Sequence, residues 1–235
     1  MNFTKWSFLF FLSLLLISSP ILAGQSFDGF YLGAYTGYVD SKDKGTEYDE
    51  FGLGESGWSN KLKPEGFNYG LNAGYNKSFS NNLVLGIETD YEARGNNQDK
   101  VSHEQFGTPS PNYFVQTKIS QAASLRAKLG FSFENKLLVY ITGGYARAKV
   151  KRDFIECCYS DYPDYIGTGE SYTKWHDGWT VGLGADYMLT PAISANAQYR
   201  FTDFGRERMN VETFYATESQ HLKEQSLRLG MAYHF

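Results

Sequence analysis

The chain has 235 residues, which is the length of one domain of ordinary size. Aromatic residues make up 17% of it and glycine occurs 24 times, a mixture that favours strands and tight turns over helices. The mean hydropathy of -0.43 excludes a helical membrane protein, and a formal net charge of -4 gives no indication of nucleic-acid binding.

The first element is an apolar segment over residues 6–17, with Lys5 before it and the small residue Ala23 after it. This layout is typical of a secretory signal peptide. A membrane-spanning helix would need roughly 20 apolar residues, and this segment is shorter. We therefore predict a cleaved signal peptide over residues 1–23 and one β-barrel domain over residues 24–235.

From residue 29 onward, apolar residues recur at every second position, and the intervening stretches are rich in Gly, Asn, Asp, Ser and Pro. This pattern predicts antiparallel strands joined by turns and loops. We predict eight strands, over residues 29–39, 67–79, 83–94, 117–133, 137–151, 177–189, 192–204 and 222–235.

The predicted connections alternate between long and short. The long ones cover residues 40–66, 95–116, 152–176 and 205–221, and the short ones cover 80–82, 134–136 and 190–191. Such alternation places all long loops at one end, as in bacterial outer-membrane barrels, which have short periplasmic turns and longer extracellular loops. An even number of strands then places both termini on the periplasmic side.

The two faces of each strand differ in polarity, because neighbouring residues point to opposite sides of a sheet. A soluble barrel would also show this difference, so aromatic placement decides which face is outward. Aromatic residues on the apolar face fall near both ends of the strands, as membrane interfaces select. One predicted ring contains Phe30, Tyr75, Phe133, Tyr140, Tyr187, Tyr233 and Phe235, and the other contains Tyr38, Phe67, Tyr69, Tyr91, Trp179 and Phe201.

The charged face then lines the lumen. An eight-stranded barrel is just wide enough for side chains to fill, so pairing of opposite charges is favoured over a channel. The predicted lumen network contains Glu88, Asp90, Glu92, Arg126, Lys128, Arg147, Lys149, Asp186, Arg200, Glu224 and Arg228, with Arg94, Lys118 and Lys151 on the same face. A transmembrane up-and-down barrel in the outer membrane, surrounded by lipid and lipopolysaccharide, is the predicted fold and location.

Four segments carry a family resemblance: residues 29–33 (GFYLG), 124–131 (SLRAKLGF), 140–146 (YITGGYA) and 199–205 (YRFTDFG). Together they resemble the small porin-like outer-membrane β-barrel proteins of alphaproteobacteria, a family of surface antigens and haemin-binding proteins. The transmembrane domain of OmpA is similar in architecture. The resemblance covers the chain from Phe27 onward apart from the long loops. A shared fold of this kind does not specify an activity.

The last strand also resembles the family's assembly signature, a terminal Phe after apolar residues at alternate positions. The matching residues here are Leu227, Leu229, Met231, Tyr233 and Phe235. The resemblance implies the barrel-assembly machinery and periplasmic chaperones as partners during biogenesis.

No catalytic, cofactor or metal site is predicted. The four histidines, His103, His176, His221 and His234, have no recognisable serine or acid spacing around them, and nothing indicates a haem ligand pair. Adjacent Cys157 and Cys158 could form a vicinal disulfide or remain free thiols.

Three hypotheses about function therefore stay open. The first is a structural or interaction protein that presents four acidic, aromatic-rich loops to an external ligand or a host surface. The second is a narrow pore for ions or small solutes, and the third is capture of haemin or another ligand at the loops.

Overall fold

The computed structural model describes residues 27–48, 54–157, 169–211 and 216–235. The predicted signal peptide lies outside the described residues. Within them the chain forms nine β-strands: β1 (Gly29–Tyr48), β2 (Glu55–Leu62), β3 (Glu65–Ser78), β4 (Leu83–Gln105), β5 (Thr108–Phe133), β6 (Leu137–Glu156), β7 (Glu170–Met188), β8 (Ile193–Val211) and β9 (Ala216–His234). No helix in the described part of the chain is long and apolar enough to cross a membrane.

The strands form one antiparallel sheet that closes on itself. β1 pairs with β3, and from β3 to β9 each strand pairs with the next in sequence. β1 also pairs with β9, from Tyr31–His234 to Tyr48–Thr217, which closes the sheet. Eight long strands therefore form the predicted barrel. The ninth strand, β2, continues the line of β3 and pairs with the outer parts of β1 and β4. Pro64 separates β2 from β3 because it has no N–H to donate to the sheet.

The three short connections are where the sequence predicts them, after β3, β5 and β7. Asn82 and Asn135 adopt positive φ angles of 64° and 54° in two of these turns, a conformation that Asn tolerates better than most residues. These connections define what we call the short-turn end of the barrel. The opposite end is called the hairpin end.

The prediction of four long loops at the hairpin end is wrong in its extent, because the strands continue well into those segments. β4 runs to residue 105 instead of 94, and β5 begins at 108 instead of 117. Only Phe106 and Gly107 connect them, both with positive φ, which a two-residue turn of type I′ requires. The predicted strands end where the apolar residues of the outer face end. The observed strands continue beyond the membrane, where their outer face is polar.

The outer wall is apolar between two aromatic rings, as predicted. Phe30, Tyr75 and Phe133 are exposed near the short-turn end, and Tyr38, Phe67 and Trp179 are exposed farther along the strands. The five residues of the predicted assembly signature are also exposed on this wall. We call the part of the barrel between the two rings the membrane-spanning part.

The assignment of Tyr140 to the outer ring is wrong. Its side chain is 4% exposed and lies in the lumen, on the same face of β6 as Leu138 and Thr142. The ring covers Gly184 of β7, where a Cβ atom would come within 2.5 Å of it. A large aromatic side chain fits inward here because the neighbouring strand carries no side chain at that position.

The ladder between β7 and β8 stops early at the hairpin end. Its last pair is Trp179 with Asp203, although both strands continue. Beyond that point, Tyr172 Oη donates to the Asn210 carbonyl at 2.6 Å and Lys174 Nζ donates to the Arg208 carbonyl at 3.4 Å. Side chains thus replace backbone pairing along this seam.

Candidate functional site: the charged lumen

Three consecutive inward residues of β4 supply acidic groups to the lumen. Glu88, Asp90 and Glu92 share one face because strand side chains alternate, and all three are at most 4% exposed. Buried carboxylates need partners. Facing them from β5, β8 and β9 are Arg126, Lys128, Arg200 and Arg228, which are equally buried.

Asp90 lies at the centre of this network. Its carboxylate accepts from Arg126 Nη2 at 2.8 Å, from Arg200 Nη1 at 3.1 Å and from Ser124 Oγ at 2.5 Å. Arg126 also donates to Glu88, and to Gln198 Oε1 at 2.8 Å. Three strands, β4, β5 and β8, are therefore connected across the lumen through one carboxylate.

Glu92 and Glu224 extend the network toward the hairpin end. Arg228 Nη2 donates to Glu92 Oε2 at 2.5 Å, and Arg94 Nη2 donates to Glu92 Oε1 at 2.6 Å. Arg94 also reaches Glu224 Oε2 at 2.8 Å. The Asn68 amide donates to Glu92 Oε2 at 2.8 Å, so this carboxylate is satisfied on several sides.

Lys128 occupies the side of the network nearest the short-turn end. Its ammonium group is 3.3 Å from Glu88 Oε2 and 3.5 Å from Asp186 Oδ2. It also lies 4.7 Å from the centre of the Tyr31 ring and 4.3 Å from that of Tyr140. Two carboxylates and two aromatic faces thus surround a single buried cation.

The structure corrects two members of the predicted network, Arg147 and Lys149, and with them Lys151. All three lie on the outer wall of β6, where Arg147 pairs with Asp177 at 3.3 Å and stacks over Trp175 at 4.9 Å. The small residues Ala146 and Ala148 face the lumen instead. This part of β6 lies at or beyond the outer aromatic ring, where charged side chains can point outward into polar surroundings.

Lys118 is also on the outer wall, and its neighbour Ile119 is fully buried in the lumen. The sequence predicts the reverse for both. A β-bulge between Ile119 and Gln121 shifts the register with β6. One extra residue exchanges the two faces of a strand, so the parity predicted from the rest of β5 does not hold here.

A second buried charge cluster centres on Arg152, which the sequence analysis assigned to a loop. Arg152 Nη1 is 2.7 Å from Asp43 Oδ2 and from Thr117 Oγ1, and Nη2 is 2.5 Å from Asn60 Oδ1. Glu218 accepts from the same guanidinium group. The observed inward parity of β6, at even-numbered positions, continues from Ala148 through Val150 to Arg152, whereas the predicted parity would have placed this arginine on the outer wall.

Apolar side chains fill the lumen between and beyond the two clusters. One group closes the short-turn end, a second separates the charge clusters, and a third lies near the hairpin end. The group at the short-turn end consists of Phe27, Val84, Leu138, Tyr140 and Met188. The group between the charge clusters consists of Ile119, Ala122, Ala146, Ala148, Val150, Phe204 and Leu222. The group near the hairpin end consists of Leu62, Val115, Phe154 and Val211. A cavity of about 20 Å³ beside Tyr31, Glu88 and Arg126 has room for about one water molecule.

Glu47 and His103 form a buried pair at the hairpin end, outside the membrane-spanning part. Glu47 Oε1 is 3.5 Å from His103 Nε2, and Trp58 packs against the imidazole at 5.1 Å. Burial, with a contribution from the Glu218 charge, raises the pKa of Glu47 to about 7. Burial and the Arg152 charge lower the pKa of His103 to about 4.

Two of the remaining histidines lie at separate places. His234 Nε2 is 3.0 Å from Ser194 Oγ, and both side chains are buried in the lumen at the short-turn end. His221 pairs with Asp203 on the outer wall at 3.0 Å. Cys157 is disulfide-bonded, and Cys158 lies outside the described residues. No group of three or more potential metal ligands occurs in the described part of the chain.

Residues 9–235 match the family described as outer membrane protein beta-barrel domain. This chain belongs to that family. Among curated relatives it is similar to the 31 kDa outer-membrane immunogenic protein of Brucella melitensis, with 30% identity over 89% of this chain and 84% of the relative. The 25 kDa outer-membrane immunogenic protein of Brucella abortus is 26% identical over 89% of this chain and 80% of that protein. The location in the outer membrane follows from these findings.

Two solved structures share the fold of this family member. The outer membrane protein OprG from Pseudomonas aeruginosa matches with a TM-score of 0.52 and 12% identity, covering 90% of this chain and 98% of that one. The outer membrane protease OmpT from Escherichia coli matches with a TM-score of 0.51 and 10% identity, covering 88% and 97%. At these identities the likeness concerns the fold alone.

Proposed function

We propose that this protein is a non-conducting, non-catalytic surface barrel whose lumen charges hold the wall together and whose hairpin end is presented to the outside of the cell. In this orientation the short turns and both ends of the barrel domain face the periplasm. The role is structural or one of interaction, and the external partner would contact the extended hairpins.

The observation that carries the proposal is the filling of the lumen. Asp90, Glu92 and Arg152 each bind several partners on other strands. An aqueous path along the axis would have to break these contacts and cross three apolar groups, so the geometry favours a plugged barrel over the alternative of a narrow pore.

Two further observations support presentation at the hairpin end. The strands extend far beyond the outer aromatic ring there, and Phe106 at the tip of the β4–β5 hairpin is 81% exposed. An exposed aromatic residue at a turn is a common component of binding surfaces. The relatives named above are called immunogenic outer-membrane proteins, which agrees with a surface that antibodies can reach.

The decisive experiment is conductance of the refolded protein in a planar lipid bilayer. We expect no steady open-channel current from the natural sequence. The double variant Arg126→Ala/Arg228→Ala serves as the positive comparison, because it removes two side chains that occupy the lumen, and the outer-wall variant Arg147→Ala is the matched control. Steady currents from the natural sequence would overturn the proposal in favour of a pore.

Haemin capture, which the family resemblance implies, has no separate support in the described residues. The assembly signature of β9 remains a prediction, and with it the partnership with the barrel-assembly machinery and periplasmic chaperones. A test of that signature is given in the Discussion.

A further inference from the structure

The outer wall of the hairpin end carries a concentrated group of basic side chains on four adjacent strands. We call the following six residues the basic patch: Lys42, Lys44, Lys61, Arg206, Arg208 and Lys223. Five of them are exposed, and Lys223 has a side chain that is 44% exposed. The chain as a whole has a net charge of -4, so a group of six basic residues on one surface is opposite in sign to the overall charge.

Strand alternation produces the separation of charge. Along β1, Lys42 and Lys44 point outward, whereas Asp43 and Glu47 point into the lumen and are at most 3% exposed. The same alternation on β9 turns Glu224 inward and Lys223 outward. Most acidic groups of these two strands therefore lie inside the barrel. Asp40 and Glu65 are exposed on the outer wall between the patch and the aromatic ring, and the basic residues outnumber them.

The register brings like charges directly opposite each other. Lys42 pairs with Lys223 across β1 and β9, and Lys44 pairs with Lys61 across β1 and β2. His221 stands between Lys44 and Arg206 in the same row. Directly opposed like charges destabilise a sheet, so this arrangement costs stability unless an anion lies between them.

One acidic side chain lies within these rows. Asp203 is 3.3 Å from Lys223 and 3.0 Å from His221, and it therefore partly offsets the charge at one corner. Lys44 and Lys61 have no acid opposite them in the register. An external anion would therefore bind most favourably at the centre of the patch, between Lys44 and Lys61.

The height of the patch matches the membrane surface. Lys42 is four residues beyond Tyr38 of the outer aromatic ring, and Lys223 is four residues beyond the exposed Leu227. With a rise of about 3.3 Å per residue and the usual strand tilt, that places Lys42 and Lys223, the residues of the patch nearest the membrane, about 10 Å beyond the ring, facing sideways. Lipid headgroups, with their phosphates, occupy this zone.

We propose that the basic patch binds phosphate groups of anionic lipid in the leaflet that surrounds the hairpin end. The lipid phosphate would sit between the opposed lysines and remove their repulsion. The inference goes beyond the proposed function, and it does not depend on whether the lumen conducts.

The same arrangement recurs on another part of the wall. Lys118 of β5 stands directly opposite Lys151 of β6, and Lys149 is nearby on the same face. Here Asp153 pairs with Lys151 at 2.8 Å, which reduces the excess charge. We therefore expect this second site to bind the same lipid more weakly than the basic patch.

The test compares two forms of one lipid on the full barrel refolded in neutral detergent micelles. Binding of lipid A carrying its phosphates, and of the same lipid A with the phosphates removed, is measured by native mass spectrometry. The patch variant is Lys42→Gln/Lys44→Gln. The matched control is Lys77→Gln/Lys136→Gln, which removes the same charge from exposed positions at the short-turn end.

A lysine near an anionic membrane surface contributes roughly fivefold in affinity. We expect the patch variant to bind phosphorylated lipid A roughly 25-fold more weakly, with the control and the dephosphorylated lipid little affected. Equal binding of both lipids, or equal losses in both variants, would overturn the proposal. Heparin serves as a soluble polyanion, and patch-dependent binding of heparin without binding of lipid A would overturn the assignment to lipid. Heat-modifiable migration verifies that each variant is folded.

Discussion

Arg152 on β6 donates through Nη1 to Asp43 on β1 across the full width of the barrel, at 2.7 Å. Glu218 of β9 accepts from the same guanidinium group. One cation thus holds three strands together at the hairpin end. Because it compensates two buried acids, its loss should leave both without a partner charge.

We expect Arg152→Ala to destabilise the hairpin end by about 3–5 kcal/mol, the usual cost of breaking a buried ion pair. The measurement is amide hydrogen exchange of β1, β6 and β9 in micelles, because local opening precedes global unfolding. The triple variant Arg152→Met/Asp43→Asn/Glu218→Gln removes all three charges and should recover much of the protection. Absence of any recovery would show that packing, not charge compensation, is what Arg152 supplies.

Removing a charged side chain should destabilise the protein more in the lumen network than on the outer wall. Arg126→Ala removes a side chain that binds Glu88, Asp90 and Gln198, and we expect a loss of about 3–5 kcal/mol in the free energy of unfolding in urea. Arg147→Ala removes an exposed ion pair and should cost less than about 1 kcal/mol. Similar unfolding midpoints for the two variants would contradict a tightly paired lumen.

The Glu47–His103 pair should give opposing pH dependences. Because the pKa of Glu47 is raised to about 7, this residue stabilises the folded state below its unfolded pKa of about 4.5. That contribution to the free energy of unfolding is lost as pH rises to 7. The lowered pKa of His103, about 4, makes its contribution increase as pH rises from 4 to 6.5. The two contributions largely cancel between pH 4.5 and 6.5.

In Glu47→Gln the pH dependence of stability that comes from His103 should therefore no longer be cancelled. The variant's stability relative to the natural sequence should increase as pH rises from 4.5 to 7, and the difference should stay constant above pH 7. Hydrogen exchange of the β1–β2 region at pH 5, 6, 7 and 8 measures this, after correction for the intrinsic effect of pH on exchange. A pH-independent difference would mean that Glu47 is ionised throughout this range.

The assembly signature can be separated from packing at Phe235. Its ring lies on the outer wall against Tyr233, with ring centres 5.0 Å apart, and is 46% exposed. Burying a Phe contributes roughly 1.5–3 kcal/mol at most, so Phe235→Ala should only modestly lower the stability of the refolded barrel. If the signature acts in assembly, the amount of this variant in the outer membrane of cells should fall far more. Phe133→Ala at the same ring is the control.

The sequence predicted the eight long strands, the short turns and the apolar outer wall because the membrane imposes a strict alternation on every strand that crosses it. It did not predict β2, which lies beyond the membrane-spanning part in a segment assigned to a loop. The inward placement of Glu88, Asp90 and Arg126 followed from that alternation. Beyond the outer ring, water replaces lipid and the outer wall becomes polar, so the same rule placed Arg147 and Lys149 in the lumen. The bulge after Ile119 has no distinctive residue in the sequence, and Arg152 lies past the point where the predicted strand ended.

The seam between β7 and β8 gives the hairpin end an uneven stiffness. A closed cylinder resists bending equally in all directions, whereas a slit cylinder deforms by widening its slit. On the opposite wall, β4 and β5 remain paired up to Gln105 and Thr108. Across the seam, two side-chain hydrogen bonds from Tyr172 and Lys174 take the place of a ladder. We therefore expect a force applied to the hairpins to separate β7 from β8 more readily than β4 from β5.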